Sequence, residues 1–211
     1  MNIPTTKYNQ QEHTLPQEGK HIIAHYDDTG IIVYQAFNNP IANYAIAHQK
    51  FGGNHYRFTR MTWIKPNFLW MMYRAGWAIK ENQERILAIK ITHKGFLQIL
   101  KNAIPSTYNS KQYPERKVWQ EQLKKSNVRL QWDPDHDPFG NKHTRKAIQL
   151  GLRNEALELF NNTWIQSIED ITPFVDIERQ KLNKTLLPEL NVPTEKVYPI
   201  QDETIRQQLN M

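Results

Sequence analysis

The chain of 211 residues contains no cysteine. That excludes a disulfide staple, a thiol nucleophile, a haem thiolate, an iron–sulfur cluster and a cysteine-built zinc site. Long apolar runs are also missing, and the mean hydropathy is −0.73. Neither a membrane-spanning helix nor a basic-then-apolar export signal is expected, so the sequence reads as cytoplasmic. Four familiar chemical signatures are absent as well: the GxxxxGK[ST] phosphate loop, GxGxxG after a strand, HExxH and GxSxG. The four serines all lie outside any nucleophile-elbow context. Weight therefore moves away from the common ATPase, dehydrogenase, zincin and serine-hydrolase classes, toward chemistry that needs few groups.

What is present is a globular composition, with 11% aromatic and 23% charged residues. The formal net charge is +6, and it is unevenly spread. Residues 50–94 hold nine basic residues against only Glu81 and Glu84, a local excess of seven. Trp63, Trp70, Tyr73 and Trp77 lie in the same stretch. Cations interleaved with aromatic rings suit a nucleotide or a nucleic acid, the rings stacking on bases and the cations facing phosphates. The alternative is a solvated basic rim over an aromatic core.

Residues 1–20 are polar and read as a flexible arm, residues 21–183 as one compact domain, and residues 184–211, with Pro188, Pro193 and Pro199, as an extended tail. Within the domain, Ile31 to Phe37 reads as a buried strand, followed by a helix from Pro40 to about Lys50. A strand over Tyr56–Ile64 leads through Lys65-Pro66-Asn67 into a helix over Phe68–Arg74, stopped by Gly76. Further strands are expected at Glu84–Ile91, Val128–Trp132 and Ile165–Ile171, and helices at His93–Ala103, Val118–Lys125 and Pro173–Leu182. Ile104–Pro114 reads as a polar connector, Asp133–Asn141 as a loop, and Thr144–Trp164 as mainly helical with a break near Gly151. Short strands and helices without strict alternation indicate an α+β fold.

The densest polar cluster is Asp133, Asp135, His136 and Asp137. Carboxylate oxygens with an imidazole are ligands for a divalent ion, so a metal-dependent phosphodiesterase is one reading. A calcium loop is not, because Pro138 and Thr144 occupy the positions where glycine and glutamate are needed. The other reading is a rigid Asp-Pro turn whose side chains cap backbone groups. Arg60, Lys65 and Arg74 pose a different question. If Arg60 points inward from a strand, it needs an anionic partner, either a ligand phosphate or a carboxylate such as Glu169 or Asp170.

Six segments carry a resemblance: YQAFN at 34–38, RMTWIKPNFLWMMYRAGW at 60–77, QERILAI at 83–89, VRLQWDPDHDP at 128–138, IQLGLR at 148–153 and IEDITPFV at 168–175. In order and over about residues 20–180, they are similar to the family catalogued as domain of unknown function 4291, a label that names no chemistry. A further similarity is to the ADP-ribosyltransferase-like superfamily. It implies a split mixed β-sheet flanked by helices, with NAD bound in the cleft and ADP-ribose transferred to an acceptor. The superfamily pattern places His or Arg on its first strand, where this chain has Tyr34 and Gln35. It places a hydroxyl on the second strand, matched by the Thr59–Thr62 segment, and a Glu on a late strand, matched by Glu169.

The resemblance thus implies Glu169 as the catalytic carboxylate that stabilises the oxocarbenium-like sugar. It implies Arg60 and Arg74 on the pyrophosphate, Tyr34 or Trp63 stacked on the nicotinamide, Gln35 hydrogen-bonded to ribose or amide, and Thr62 beside them. No metal is required by that chemistry. The acceptor would be nucleic acid or protein. The rival from another class is a nucleic-acid-binding module without catalysis.

Overall fold

The structure, a computed structural model, describes residues 3–211; Met1 and Asn2 of the expected arm lie outside them. Ile31 to Tyr34 are apolar at consecutive positions because both faces of their strand are covered. Ile31 and Val33 belong to one core cluster, Ile32 and Tyr34 to another. Each such side chain, once fully buried, contributes about 1.5–3 kcal/mol.

In chain order the elements begin with β1 (Thr5–Lys7), α1 (Tyr8–Glu12), β2 (Ile23–Ala24), β3 (Ile31–Phe37) and α2 (Asn39–His48). There follow β4 (Thr62–Ile64), α3 (Phe68–Ala75), β5 (Arg85–Ile91), α4 (His93–Lys101), β6 (Ala103–Pro105) and α5 (Arg116–Lys125). The chain continues with β7 (Val128–His136), β8 (Lys142–Leu152), α6 (Asn154–Leu159) and a π-helical turn (Phe160–Trp164). It ends with β9 (Ile165–Asp170), α7 (Thr172–Arg179), a 3-10 turn (Leu187–Glu189), β10 (Asn191–Pro193), β11 (Lys196–Val197) and α8 (Glu203–Leu209).

Two sheets organise this α+β domain. One is antiparallel, in the order β3-β5-β9; the other is mixed, in the order β4-β8-β7-β6, with β6 parallel to β7. The first core cluster fills the space between the sheets and α4, while the second lies on the other face of β3 and β5, under α3 and α7. Among the described residues the two sheets are joined through the backbone at one bridge, where Tyr34 and Lys65 exchange hydrogen bonds of 2.7 and 3.2 Å.

Several expectations are corrected. Thr144–Trp164 is not mainly helical: residues up to Leu152 form β8, in an antiparallel hairpin with β7. Its buried Ile148, Leu150 and Leu152 alternate with the partly exposed Gln149 and with Gly151, which is a strand's period of two. Asp133–Asn141 is not wholly a loop either, since β7 continues to His136 and the turn begins at Asp137. Of the strand expected over Tyr56–Ile64, only Thr62–Ile64 pairs, and the residues before it form turns.

The segments expected as arm and tail carry β1 and β10, which pair with each other, and β11, which pairs with β2. Leu190, Val192, Tyr198 and Ile200 are buried, an alternation that lets short strands cover the core between prolines. Polar ties complete the attachment. Glu195 donates its N–H to the Gln11 side chain at 2.6 Å, and its carboxyl accepts from the Phe68 N–H at 2.8 Å.

Candidate functional site

Lys65-Pro66-Asn67 turns the chain from β4 into α3. Asn67 caps the helix by accepting from the Trp70 N–H at 2.6 Å, and Gly76, with φ of 58°, ends it. Beside this turn lies a cleft of about 870 Å³ between residues of the two sheets, within the usual size of small-molecule sites. Gln35 of β3 and Thr62 of β4 meet in it, the Gln35 amide donating to the Thr62 hydroxyl at 2.6 Å and to the Trp63 carbonyl at 3.2 Å. Gln35 is only 3% exposed, and among the described residues its side-chain oxygen has no hydrogen-bond partner.

The charge of the cleft has one sign. Arg57 and Arg60 line it from the turn before β4, Lys65 from its floor and Arg74 from α3. Among the described residues that line it there is no carboxylate. The nearest acid by its effect is Asp133 of β7, whose two oxygens accept from the side chains of Gln131 at 2.8 Å and Gln149 at 2.7 Å. Lys65 is 5% exposed, and its amine is pushed down from the usual lysine range to about 7, chiefly by burial and then by Arg74. Its ammonium reaches the Trp63 carbonyl at 3.4 Å and lies 5.3 Å from the centre of the Trp70 ring.

Trp63 is held in this wall by the absence of a side chain opposite it. A Cβ on Gly151 of β8 would stand 2.5 Å from Met61 Sδ and 3.0 Å from Trp63 Cζ2. The glycine that reads in sequence as a helix break is the seat for a ring.

The structure brings Gln35, Arg60, Thr62, Trp63 and Arg74 to one cleft. It does not bring Tyr34 or Glu169 there. Across the first sheet, Tyr34 registers with Ala88 and Ala88 with Glu169, whereas Gln35 registers with Leu87 and Leu87 with Asp170. Register neighbours share a face and adjacent residues do not. Tyr34 and Glu169 are therefore on the face opposite Gln35. Tyr34 is fully buried, edge-on to Phe68 with ring centroids 5.6 Å apart, so it offers no stacking surface.

Arg60 is exposed at the rim rather than pointing inward, and Asp170 is the ion-pair partner of Arg85. Arg74 donates to the Gln83 side chain at 3.0 Å. Tyr56, Arg57, Gln131 and Gln149 line the cleft as well, although no sequence motif marks them, and Lys65, notable in the sequence as a cation at the strand-to-helix turn, joins them. For Arg57 the only signal is the cation density of residues 50–94.

The Asp-rich segment is dispersed by its own contacts. Asp133 is held as described, Asp135 pairs with Arg145 at 2.6 Å, and Asp137 accepts from the Phe139 and Asn141 N–H groups at 2.9 and 2.8 Å, closing the β7–β8 turn. His136 lies flat on Tyr73, with centroids 3.6 Å apart. Among the described residues no three histidine, aspartate or glutamate side chains gather to hold a metal ion, and no helix is long and apolar enough to cross a membrane. The turn reading of this segment describes Asp137, although a strand and not a helix follows it.

Among curated proteins nothing matches the sequence. A family model described as Domain of unknown function (DUF4291) matches residues 21–198, more than four-fifths of the chain, from β2 through every element that lines the cleft, and the chain belongs to that family.

Proposed function

We propose that the cleft binds a phosphorylated nucleotide, with NAD the ligand that the ADP-ribosyltransferase-like resemblance implies. One observation carries this reading: four cations, a tryptophan and a buried unpartnered amide oxygen line one cleft that has no carboxylate among its described lining residues. Arg60 and Arg74 suit a pyrophosphate, since guanidinium groups pair with phosphate oxygens through charge-assisted hydrogen bonds. Trp63 offers a ring to stack against, and the Gln35 oxygen accepts from an amide or a ribose hydroxyl. Transfer of ADP-ribose calls for a carboxylate facing the sugar, and Glu169 lies on the other face of its sheet. The reading therefore assigns ligand binding to the cleft and no transfer step to Glu169.

Calorimetry with NAD and ADP-ribose tests it. Arg60→Ala and Arg74→Ala should each weaken binding roughly five- to twentyfold, while Glu169→Gln should leave it unchanged. Absence of binding by NAD, ADP-ribose and AMP, with steeply salt-dependent binding of an oligonucleotide, would replace this reading by that of a nucleic-acid-binding module.

A further inference from the structure

We infer that the Lys65 ammonium binds a phosphate of the ligand non-covalently at the floor of the cleft, so that the phosphate lies deepest, its anion held between Lys65 and Arg74. The inference rests on the nucleotide reading above and names which part of the ligand lies deepest.

The argument begins with an imbalance. An ammonium has three donors and a full charge, and burying it without a counter-ion costs several kcal/mol. Lys65 is 5% exposed, yet among the described residues the only hydrogen bond of its ammonium is the long one to the Trp63 carbonyl, and no carboxylate lies within ion-pair distance. The Trp70 ring compensates in part. The charged groups acting on the amine are Arg74 of α3, which repels it, and Asp133 of β7, which attracts it but is already engaged by Gln131 and Gln149. Tyr34 and Gln35 of β3 present no charge to it. What the floor lacks is an anion. The Gln35 amide and the Lys65 ammonium converge on the same Trp63 carbonyl, which places the unpartnered Gln35 oxygen nearby as the acceptor for a sugar hydroxyl next to that anion.

A buried lysine held near neutral by its surroundings adds a second readout. A phosphoryl group placed against it restores the ammonium, so binding takes up a proton from solution.

The probes are inorganic pyrophosphate and ADP-ribose, titrated into wild type, Lys65→Met and Arg60→Ala. Lys65→Met should lose at least roughly tenfold in affinity for both probes. Its thermal midpoint should be no lower than that of the wild type, because a costly buried cation has been replaced by an apolar chain of similar length. Wild type titrated at about pH 8 in two buffers of different ionisation enthalpy should take up close to one proton per ligand. Equal affinity of Lys65→Met and wild type for pyrophosphate would overturn the assignment, as would a markedly lowered midpoint or binding without proton uptake. Wild type that binds neither probe would instead remove the nucleotide reading itself, and this inference with it.

Discussion

Lys65 carries a cost that depends on pH, and its sign follows from the direction of the shift. In the folded chain the amine titrates near 7, against 10.5 for an ordinary lysine. Below about 7 it is charged in both folded and unfolded chains, and the burial penalty applies in full. As the pH climbs from there toward 10.5, the unfolded chain keeps its proton and the folded chain sheds it, so the penalty shrinks. Lys65→Met should accordingly be more stable than wild type at low pH, with the difference narrowing above neutrality; denaturant titrations at a series of pH values measure this. Arg60, Arg74 and Trp63 were legible in the sequence because cation density and aromatic interleaving survive without any knowledge of register, whereas Gln35 and Thr62 were named only through the superfamily resemblance. Tyr34 and Glu169 were not. Which face of a strand a residue occupies is set by pairing, and a one-residue change in parity moves a side chain from the cleft to the opposite core. Lys65 stood out as a cation, but its burial is made by α3 and the Tyr34 bridge, which no local pattern announces.

At the scale of elements, the β7–β8 hairpin forms one wall of the cleft, and its fit to β4 depends on Gly151. Gly151→Ala would drive a methyl into Met61 and Trp63, so we expect a loss of about 1–3 kcal/mol of stability. Nucleotide affinity should fall with it, since Trp63 must shift; chemical denaturation and calorimetry on the same variant measure the pair. Sequence reading mistook this region for helix because Ala147, Ile148, Leu150 and Gly151 also satisfy a helical spacing, and a short apolar run does not separate the two periods. The strands β3 and β5 and the helices α2, α3 and α4 were legible for the opposite reason. Their caps, Asn38, Asn67 and Thr92, each accept a backbone N–H of the first turn, and a glycine stops α3.

For the whole molecule, the termini are structural. Arg145 of β8, 1% exposed along its side chain, joins Glu12 of α1 at 2.6 and 2.8 Å to Asp135 of β7 at 2.6 Å. Removing the cation would strand two carboxylates, so Arg145→Ala should cost about 3–5 kcal/mol. It should also free the first fifteen or so residues for proteolysis, as limited digestion would reveal. The segments outside residues 21–183 read as arm and tail because each is polar or proline-broken by itself. Their order comes from pairing across almost the full length of the chain, β1 with β10, and long-range pairing leaves no local trace.

Among the described residues the backbones of the two sheets are stitched at a single residue pair, and that stitch runs through Lys65 itself. On the proposed reading, a nucleotide held by Gln35 on one sheet and Lys65 on the other would brace the sheets at the Tyr34–Lys65 bridge. The amide hydrogens of those two residues should exchange with deuterated solvent more slowly once NAD or pyrophosphate is bound, reporting occupancy from the spine of the fold.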